Sequence, residues 1–397
     1  MHTNFSVVLK LIRHNPDFAI KTARAFLRME KAARYDRSCL RGRSRRLSLV
    51  YFRITPLCNL HCLMCNQRGI KGVLNGYHAA EEARKLVPLE RYYRLVDELA
   101  ARDRPIFYMW GGEPFLYPNF MDLAEYITRQ RCLLSVNTNG TFLEQNAERI
   151  VKNGWHALFV SLDGFQAVND QIRGAGSYEK VVAGLRAINE AKRKYNTHLP
   201  YMGIVTTVSN MNYLSLDELA RAMSDYDLAW HIINLGTYTN QTIIDAQTKV
   251  MKEELGCEVK CLPGFDTGFN EGIDGRKFAV ILKAIHDLKP GYPIITVPAI
   301  DPDAITEYYA DLSKVIRKNC VVPWSQANFD YDGDVHFCAD YPDYTIGNIM
   351  DSDFYDIWNG ERAVKFRQTI KASPNGLFPG CVRCYQNMLF GRKVKGY

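Results

Sequence analysis

Short apolar runs and amphipathic stretches take turns along this chain, and the two periods predict strands and helices in alternation. The runs at 47–54, 106–110, 132–136, 157–160, 203–208 and 229–234 read as buried strands. Leu89, Tyr92, Val96 and Leu99 keep helical spacing after Pro88, and further helices are expected at 120–131, 178–194 and 216–224. Six βα-type repeats predict parallel strands with helices outside, an α/β barrel or partial barrel. Residues 237–319 break the rhythm: TYTNQT and CLPGFDTGFNEGIDG are loop-like, 276–288 is helical, and KPGYPIITVP is proline-rich. This stretch reads as an insertion or bridge with more loop than strand.

The first 46 residues follow another pattern. Phe5, Val8, Leu11 and Ile12 make one apolar stripe. Asn15-Pro16 then offers an N-cap with proline at the first helical position, and Ala19, Ala23, Phe26, Leu27 and Ala33 continue an apolar face. Twelve Lys/Arg against three acids give this arm a charge of +9, which leaves about −2 for the rest of a chain whose net charge is +7. A basic amphipathic helix suits an anionic membrane surface, or docks its apolar face on the protein body with its arginines in water. No aromatic interleaving or reader motif accompanies the charges, so nucleic acid is not an expected partner.

At 397 residues and 47% hydrophobic, the chain can bury a substantial core. No apolar run reaches the roughly eighteen residues that a membrane span needs, and the N-terminus lacks the pattern of a secretion signal. Eleven cysteines at ligand-like spacings point to metal binding in a reducing compartment, with the cytoplasm expected and membrane association resting on the arm.

Polar motifs close four of the predicted strands, where a parallel barrel keeps its active face. They are the cysteine loop 55-TPLCNLHCLMCNQRG-69, Gly111-Gly112-Glu113-Pro114, Asn137-Thr138-Asn139-Gly140 and Ser161-Leu162-Asp163-Gly164. Cys58, Cys62 and Cys65 form a C-x₃-C-x₂-C array of three. A zinc ion would want a fourth ligand, for which His61 is at hand. A four-iron cluster held by three thiolates keeps one iron open. Further along, Cys320, Gly333, Cys338, Cys381 and Cys384 are spaced C-x₁₂-G-x₄-C-x₄₂-C-x₂-C, a set of four thiols that suits one cluster or a zinc knuckle.

The cysteine loop directly after a first strand, followed by GGEP, resembles the radical S-adenosylmethionine (radical SAM) superfamily. Met64 stands where that family often has an aromatic. The resemblance implies a partial (βα)₆ TIM-like barrel and a [4Fe–4S] cluster on Cys58, Cys62 and Cys65. It also implies S-adenosylmethionine on the open iron, cleaved to a 5′-deoxyadenosyl radical. Gly111, Gly112 and Glu113 would hold the cosubstrate's amino group. Asn137, Ser161 and Asp163 match positions near its ribose and carboxylate, Arg173 would neutralise the carboxylate, and Ile204 and Val205 would face the adenine. Turn capping and core packing are the competing roles for these residues.

The C-terminal cysteines resemble the auxiliary-cluster module of the SPASM and Twitch branches. The longer pattern continues with three more cysteines; here Phe390 stands where the next is expected, so one fully ligated second [4Fe–4S] cluster is implied. The resemblance covers about 47–236 and 320–390 and divides the chain into an arm (1–46), a barrel (47–236), a bridge (237–319) and a small cluster domain (320–397).

The activity implied is hydrogen abstraction for redox tailoring, a dehydrogenation or epimerisation, of a small carbohydrate-like or lipid-linked metabolite. The second cluster would serve as electron conduit, and a flavodoxin, ferredoxin or reductase would act as donor. Maturation of a peptide or protein is the second reading, and a non-catalytic iron–sulfur or zinc partner-binding protein the third. Cys257 and Cys261, and the acids Asp330, Asp332 and Asp340, have no assigned role.

Overall fold

The expected strands form, and four later segments join them in one sheet. The computed structural model describes residues 15–75 and 79–394. Strands β1 (Leu49–Arg53), β2 (Ile106–Trp110), β3 (Leu133–Thr138), β4 (Ala157–Ser161), β5 (Tyr201–Thr207) and β6 (Trp230–Asn234) lie side by side and parallel. Beyond β6 comes β7 (Ile294–Val297), parallel to it and drawn from the segment expected to be mostly loop. The short pair β8 (Arg317–Lys318) and β12 (Arg392–Lys393) stands apart from the main sheet. On the other edge, β9 (Gln326–Phe329) runs parallel to β1, and β10 (Asp334–His336) and β11 (Gly347–Asn348) follow antiparallel. The result is one ten-stranded sheet in the order β11-β10-β9-β1-β2-β3-β4-β5-β6-β7. It is an α/β partial barrel whose sheet draws on both the barrel sequence and the cysteine-bearing C-terminal segment.

Its two faces differ in chemistry because side chains alternate along each strand. One set, including Val50, Phe52, Phe107, Met109 and Val136, is fully buried beneath helices. Phe52 is the hub: its ring lies 5.3 Å from Tyr92 of helix Leu89–Arg102, 5.5 Å from Phe107 on β2 and 5.2 Å from Phe329 on β9. The other set faces inward. Tyr51 and Tyr108 stand 5.0 Å apart, Tyr108 and Phe159 5.5 Å, and Phe159 and Trp230 5.0 Å, a continuous aromatic wall across β1, β2, β4 and β6. Gly203 on β5 leaves room for it, since a Cβ there would fall 2.0 Å from the Trp230 indole nitrogen.

Helix Leu143–Lys152, which the strand pattern alone passed over, buries Leu143, Ala147, Ile150 and Val151 at helical spacing. The bridge holds helices Gln241–Val250 and Gly275–Leu288 besides β7.

The arm helix runs Pro16–Lys31, with Asn15 Oδ1 accepting from the Phe18 N–H at 3.0 Å, the expected cap. The stripe expected at Phe5–Ile12 lies outside the described residues. Phe18 stacks on His156 at 5.9 Å and packs tilted against Tyr201 at 5.4 Å, and Ala25 and Met29 are buried. The chain behind the helix is stapled to the C-terminal region. Ser44 Oγ donates to the Trp324 carbonyl at 2.6 Å, and the buried Arg367 donates to the carbonyls of Gly42 and Trp358 at 3.2 and 2.8 Å.

Candidate active site

The four motifs meet at the C-terminal ends of β1 to β4. Gly111 and Gly112 let β2 turn directly under the cysteine loop. Gly112 N donates to Thr55 O at 2.7 Å and Glu113 N to Leu57 O at 2.6 Å. A Cβ on Gly112 would sit 2.1 Å from Leu57 O, so only glycine permits this approach. Glu113 is fully buried. Its Oε1 accepts from Thr138 Oγ1 at 2.7 Å and its Oε2 from Asn139 N at 2.8 Å, tying GGEP to NTNG. Burial pushes the Glu113 carboxyl up to about 7, against those hydrogen bonds and the pull of Arg173. A buried carboxylate with no cation against it is the complement of an ammonium group.

The three thiols of the loop are partly buried and unbridged. Each has its own neighbour. Leu60 N and Asn139 Nδ2 approach Cys58 Sγ at 3.5 and 3.8 Å, Arg173 Nη1 lies 3.9 Å from Cys62 Sγ, and Arg68 N donates to Cys65 Sγ at 3.4 Å. Burial pushes the Cys62 thiol up to about 11, with Arg173 drawing it back. Arg173 in turn forms an ion pair with Asp163 at 2.7 Å, and Asp163 Oδ1 accepts from Thr207 N at 2.8 Å. Leu162 N donates to Val205 O at 3.0 Å, so SLDG and β5 close the ring.

Of the residues expected around a cosubstrate, Gly111, Gly112, Glu113, Asp163 and Arg173 fall in one connected network. Asn137, Ser161 and Val205 line its strand ends on the inner face without bonds to that network's side chains. Asn139, two residues beyond Asn137, is the NTNG side chain that touches a cysteine. Its signal was in the motif, but motif position does not tell which asparagine turns inward.

Cys320, Cys381 and Cys384 are buried, Cys338 partly so, and none forms a disulfide. Each lies within electrostatic reach of another of the set. Desolvation pushes Cys320 up to about 11 and the other three well above the ordinary thiol range. Four such thiols ionise only with metal charge beside them, which is what an iron–sulfur cluster supplies. Among the described residues no three His, Cys, Asp or Glu side chains could hold one metal ion. A four-iron cluster asks for thiols spread around a larger body.

The inner wall reaches the second cysteine set. Tyr51 is within reach of Tyr385, Asp340 and Cys384, which places the second set over β1. Arg53 at the end of β1 forms a bidentate pair with Asp330 beyond β9, and His336 Nε2 lies 3.5 Å from the same carboxylate. Burial opposes ionisation of Asp330, but Arg53 and His336 bring it down to about 2.

Several buried polar atoms on this wall have no hydrogen-bond partner: Gln326 Nε2, Asn328 Oδ1, Trp110 Nε1 and Trp230 Nε1. Each such atom costs about 1–3 kcal/mol unless a ligand or water meets it. Cys261 lies within electrostatic reach of Arg53 and Asp330, whereas Cys257 Sγ donates to the Asp343 carbonyl at 2.9 Å.

Residues 52–216 match the family model described as the radical SAM superfamily, and residues 320–385 match SPASM, an iron–sulfur cluster-binding domain. The chain is a radical SAM protein with a SPASM-type C-terminal domain. It binds S-adenosylmethionine and iron–sulfur clusters.

Pre-heme d1 synthase of Dinoroseobacter shibae is 24% identical over 370 residues, 87% of this chain and 81% of that one. The tungsten-containing aldehyde ferredoxin oxidoreductase cofactor-modifying protein of Pyrococcus furiosus is 22% identical over 354 residues, 85% of this chain and 87% of that one. Among solved structures, Streptococcus suis SuiB bound to S-adenosylmethionine shares the fold, with a TM-score of 0.58 at 13% identity over 88% of this chain and 77% of that one.

Proposed function

We propose that this radical SAM enzyme performs a redox tailoring, a dehydrogenation or epimerisation, on a small ring-bearing metabolite or cofactor precursor enclosed by the inner wall. The observation that carries this reading is the wall itself. Flat aromatic surface from Tyr51, Tyr108, Phe159 and Trp230 is flanked by the unpartnered polar atoms of Gln326, Asn328 and Trp110, on strands whose C-terminal ends carry the cysteine loop and GGEP and whose β1 side meets the second cysteine set. Such a lining suits a substrate with an apolar face and a hydrogen-bonding edge.

The bound cosubstrate and first cluster supply a 5′-deoxyadenosyl radical that takes a hydrogen atom. Cys58, Cys62 and Cys65 would hold that cluster. Glu113 would take the cosubstrate's ammonium, and the Asp163–Arg173 pair would bound its carboxylate end. Cys320, Cys338, Cys381 and Cys384 would hold a second cluster, which in a dehydrogenation would accept the electron left on the substrate after hydrogen-atom loss, with a proton going to solvent. A flavodoxin- or ferredoxin-type donor supplies the electron that starts the cycle.

Two relatives that align with most of this chain carry names of cofactor chemistry, a haem d1 precursor and the cofactor of a tungsten enzyme. SuiB has been solved with a precursor peptide, but at 12% identity that likeness speaks only to fold.

Deuterated candidate metabolites, tetrapyrroles and sugars first, are to be incubated with cluster-loaded enzyme, S-adenosylmethionine and dithionite. Deuterium in 5′-deoxyadenosine from one of them is the expected result. Transfer from a peptide encoded beside the gene, with none from small molecules, would replace this reading with peptide maturation.

A further inference from the structure

The floor of the barrel, at the opposite end from the cysteines, carries a second concentration of chemistry. A cleft of about 670 Å³ opens between the arm helix and the loops that enter β2, β3 and β4. Lys21, Arg24, Arg104, Arg129 and Arg131 line it, with Asp17 as the only acid among the lining residues. Asp17 is engaged by Lys21 at 2.7 Å, and Arg129 pairs with Glu125. Among the described residues Arg24, Arg104 and Arg131 have no acidic partner, and Arg104 Nε donates to the Ala100 carbonyl at 3.3 Å. Arg104 and Arg131 hold left-handed backbone, with φ of 46° and 57°, where a glycine would sit at less cost.

The arm helix that walls this cleft is apolar on two opposite sides. One side, through Phe18, Ala25 and Met29, is docked on the barrel. Turned half-way round the helix from it, Ile20 and Leu27 stand 51% and 63% exposed, with Ala23 between them and Arg24 and Lys31 alongside. A helix that needed only to cover the barrel would carry polar residues there. An outward apolar stripe edged by cations, next to a cleft of unpaired arginines, matches the layered chemistry of a bilayer surface: anionic headgroups above, acyl chains below.

We propose that the arm helix and the barrel floor dock on a bilayer of anionic phospholipid, with Ile20 and Leu27 entering the headgroup boundary and Arg24, Arg104 and Arg131 receiving headgroup phosphates. The strands' N-terminal ends then face the membrane and the active face opens to the aqueous side. Membrane attachment through this surface therefore delivers the enzyme to a place rather than a lipid tail to the radical site. The inference stands independently of which metabolite the inner wall takes.

The test is vesicle flotation of the full-length, cluster-loaded protein. Vesicles of phosphatidylcholine alone are to be compared with vesicles that also contain phosphatidylglycerol. Two double variants probe the surface: I20S with L27S, both at exposed positions, and R104G with R131G, where glycine suits the backbone already present. The wild type floats with anionic vesicles only and is released by salt. Each double variant weakens that binding roughly tenfold or more, while iron content and cosubstrate cleavage without vesicles stay unchanged.

Absence of flotation, equal binding to neutral vesicles, or wild-type binding by both variants would overturn the proposal. So would a wild-type dimer that I20S with L27S converts to monomer, since the stripe would then pair two copies of this chain.

Discussion

Glu113 shows how much of the chemistry resides in single side chains. Its carboxyl is buried with no ion-pair partner among the described residues, and burial outweighs the pull of Arg173, so the protonated form is favoured up to about pH 7. The ligand-free fold binds more protons here than the unfolded chain, and Glu113 therefore costs stability as pH rises from its ordinary 4.5 toward 7. An ammonium beside it reverses the preference. Affinity of the cluster-loaded protein for S-adenosylmethionine should accordingly fall as pH drops below about 7. E113Q should bind more weakly with a flat profile, as calorimetry across that range can show.

Asp330 makes a second residue-scale case. Removing it in D330A strands the guanidinium of Arg53, and loss of one partner of a buried pair costs about 3–5 kcal/mol, readable in a denaturant melt. The double variant R53M/D330A should recover much of that loss. Glu113 was legible because it sits in a four-residue motif. The partnership of Arg53 with Asp330 was not, since 277 residues separate them and the strand that joins them, β9, is only four residues long.

At the scale of elements, β1 to β6 were legible because each is a short apolar run with a polar motif at its end. Strand β7 was not: Ile294–Val297 lies between prolines in a loop-rich stretch, and only its place beside β6 makes it a strand. Strand β9, QANF, is polar on its inward side because that side meets the site rather than the core, so its alternation does not resemble the other strands. The arm helix was legible in its cap and amphipathicity, but two apolar faces superimpose into one weak pattern, and only the structure separates the docked face from the outward one. Phe52 shows what binds the elements together, since it touches a helix and strands from both parts of the chain. Phe52→Ala should cost about 3–5 kcal/mol and lower the thermal midpoint without abolishing iron binding by the folded fraction.

The whole molecule is organised around β1. Its C-terminal end presents the set of three cysteines, and its flank pairs with β9 from the segment that bears the set of four. The division into an arm, barrel, bridge and cluster domain that the sequence suggested is thus crossed by a continuous sheet. A chain ending at residue 319 would expose the edge of β1 and the aromatic hub at Phe52. It should aggregate or melt well below the full-length protein rather than survive as a free barrel, which thermal scanning of both forms can decide.

The central claim is that one cysteine set is open for reaction and the other closed. Its most direct test is anaerobic reconstitution with iron counting and measurement of 5′-deoxyadenosine, on the wild type and on a triple Ala variant of Cys58, Cys62 and Cys65. The account predicts about eight irons per chain and dithionite-dependent 5′-deoxyadenosine for the wild type, and about four irons with no 5′-deoxyadenosine for the variant. Zinc in place of iron, or undiminished cosubstrate cleavage by the variant, would contradict it.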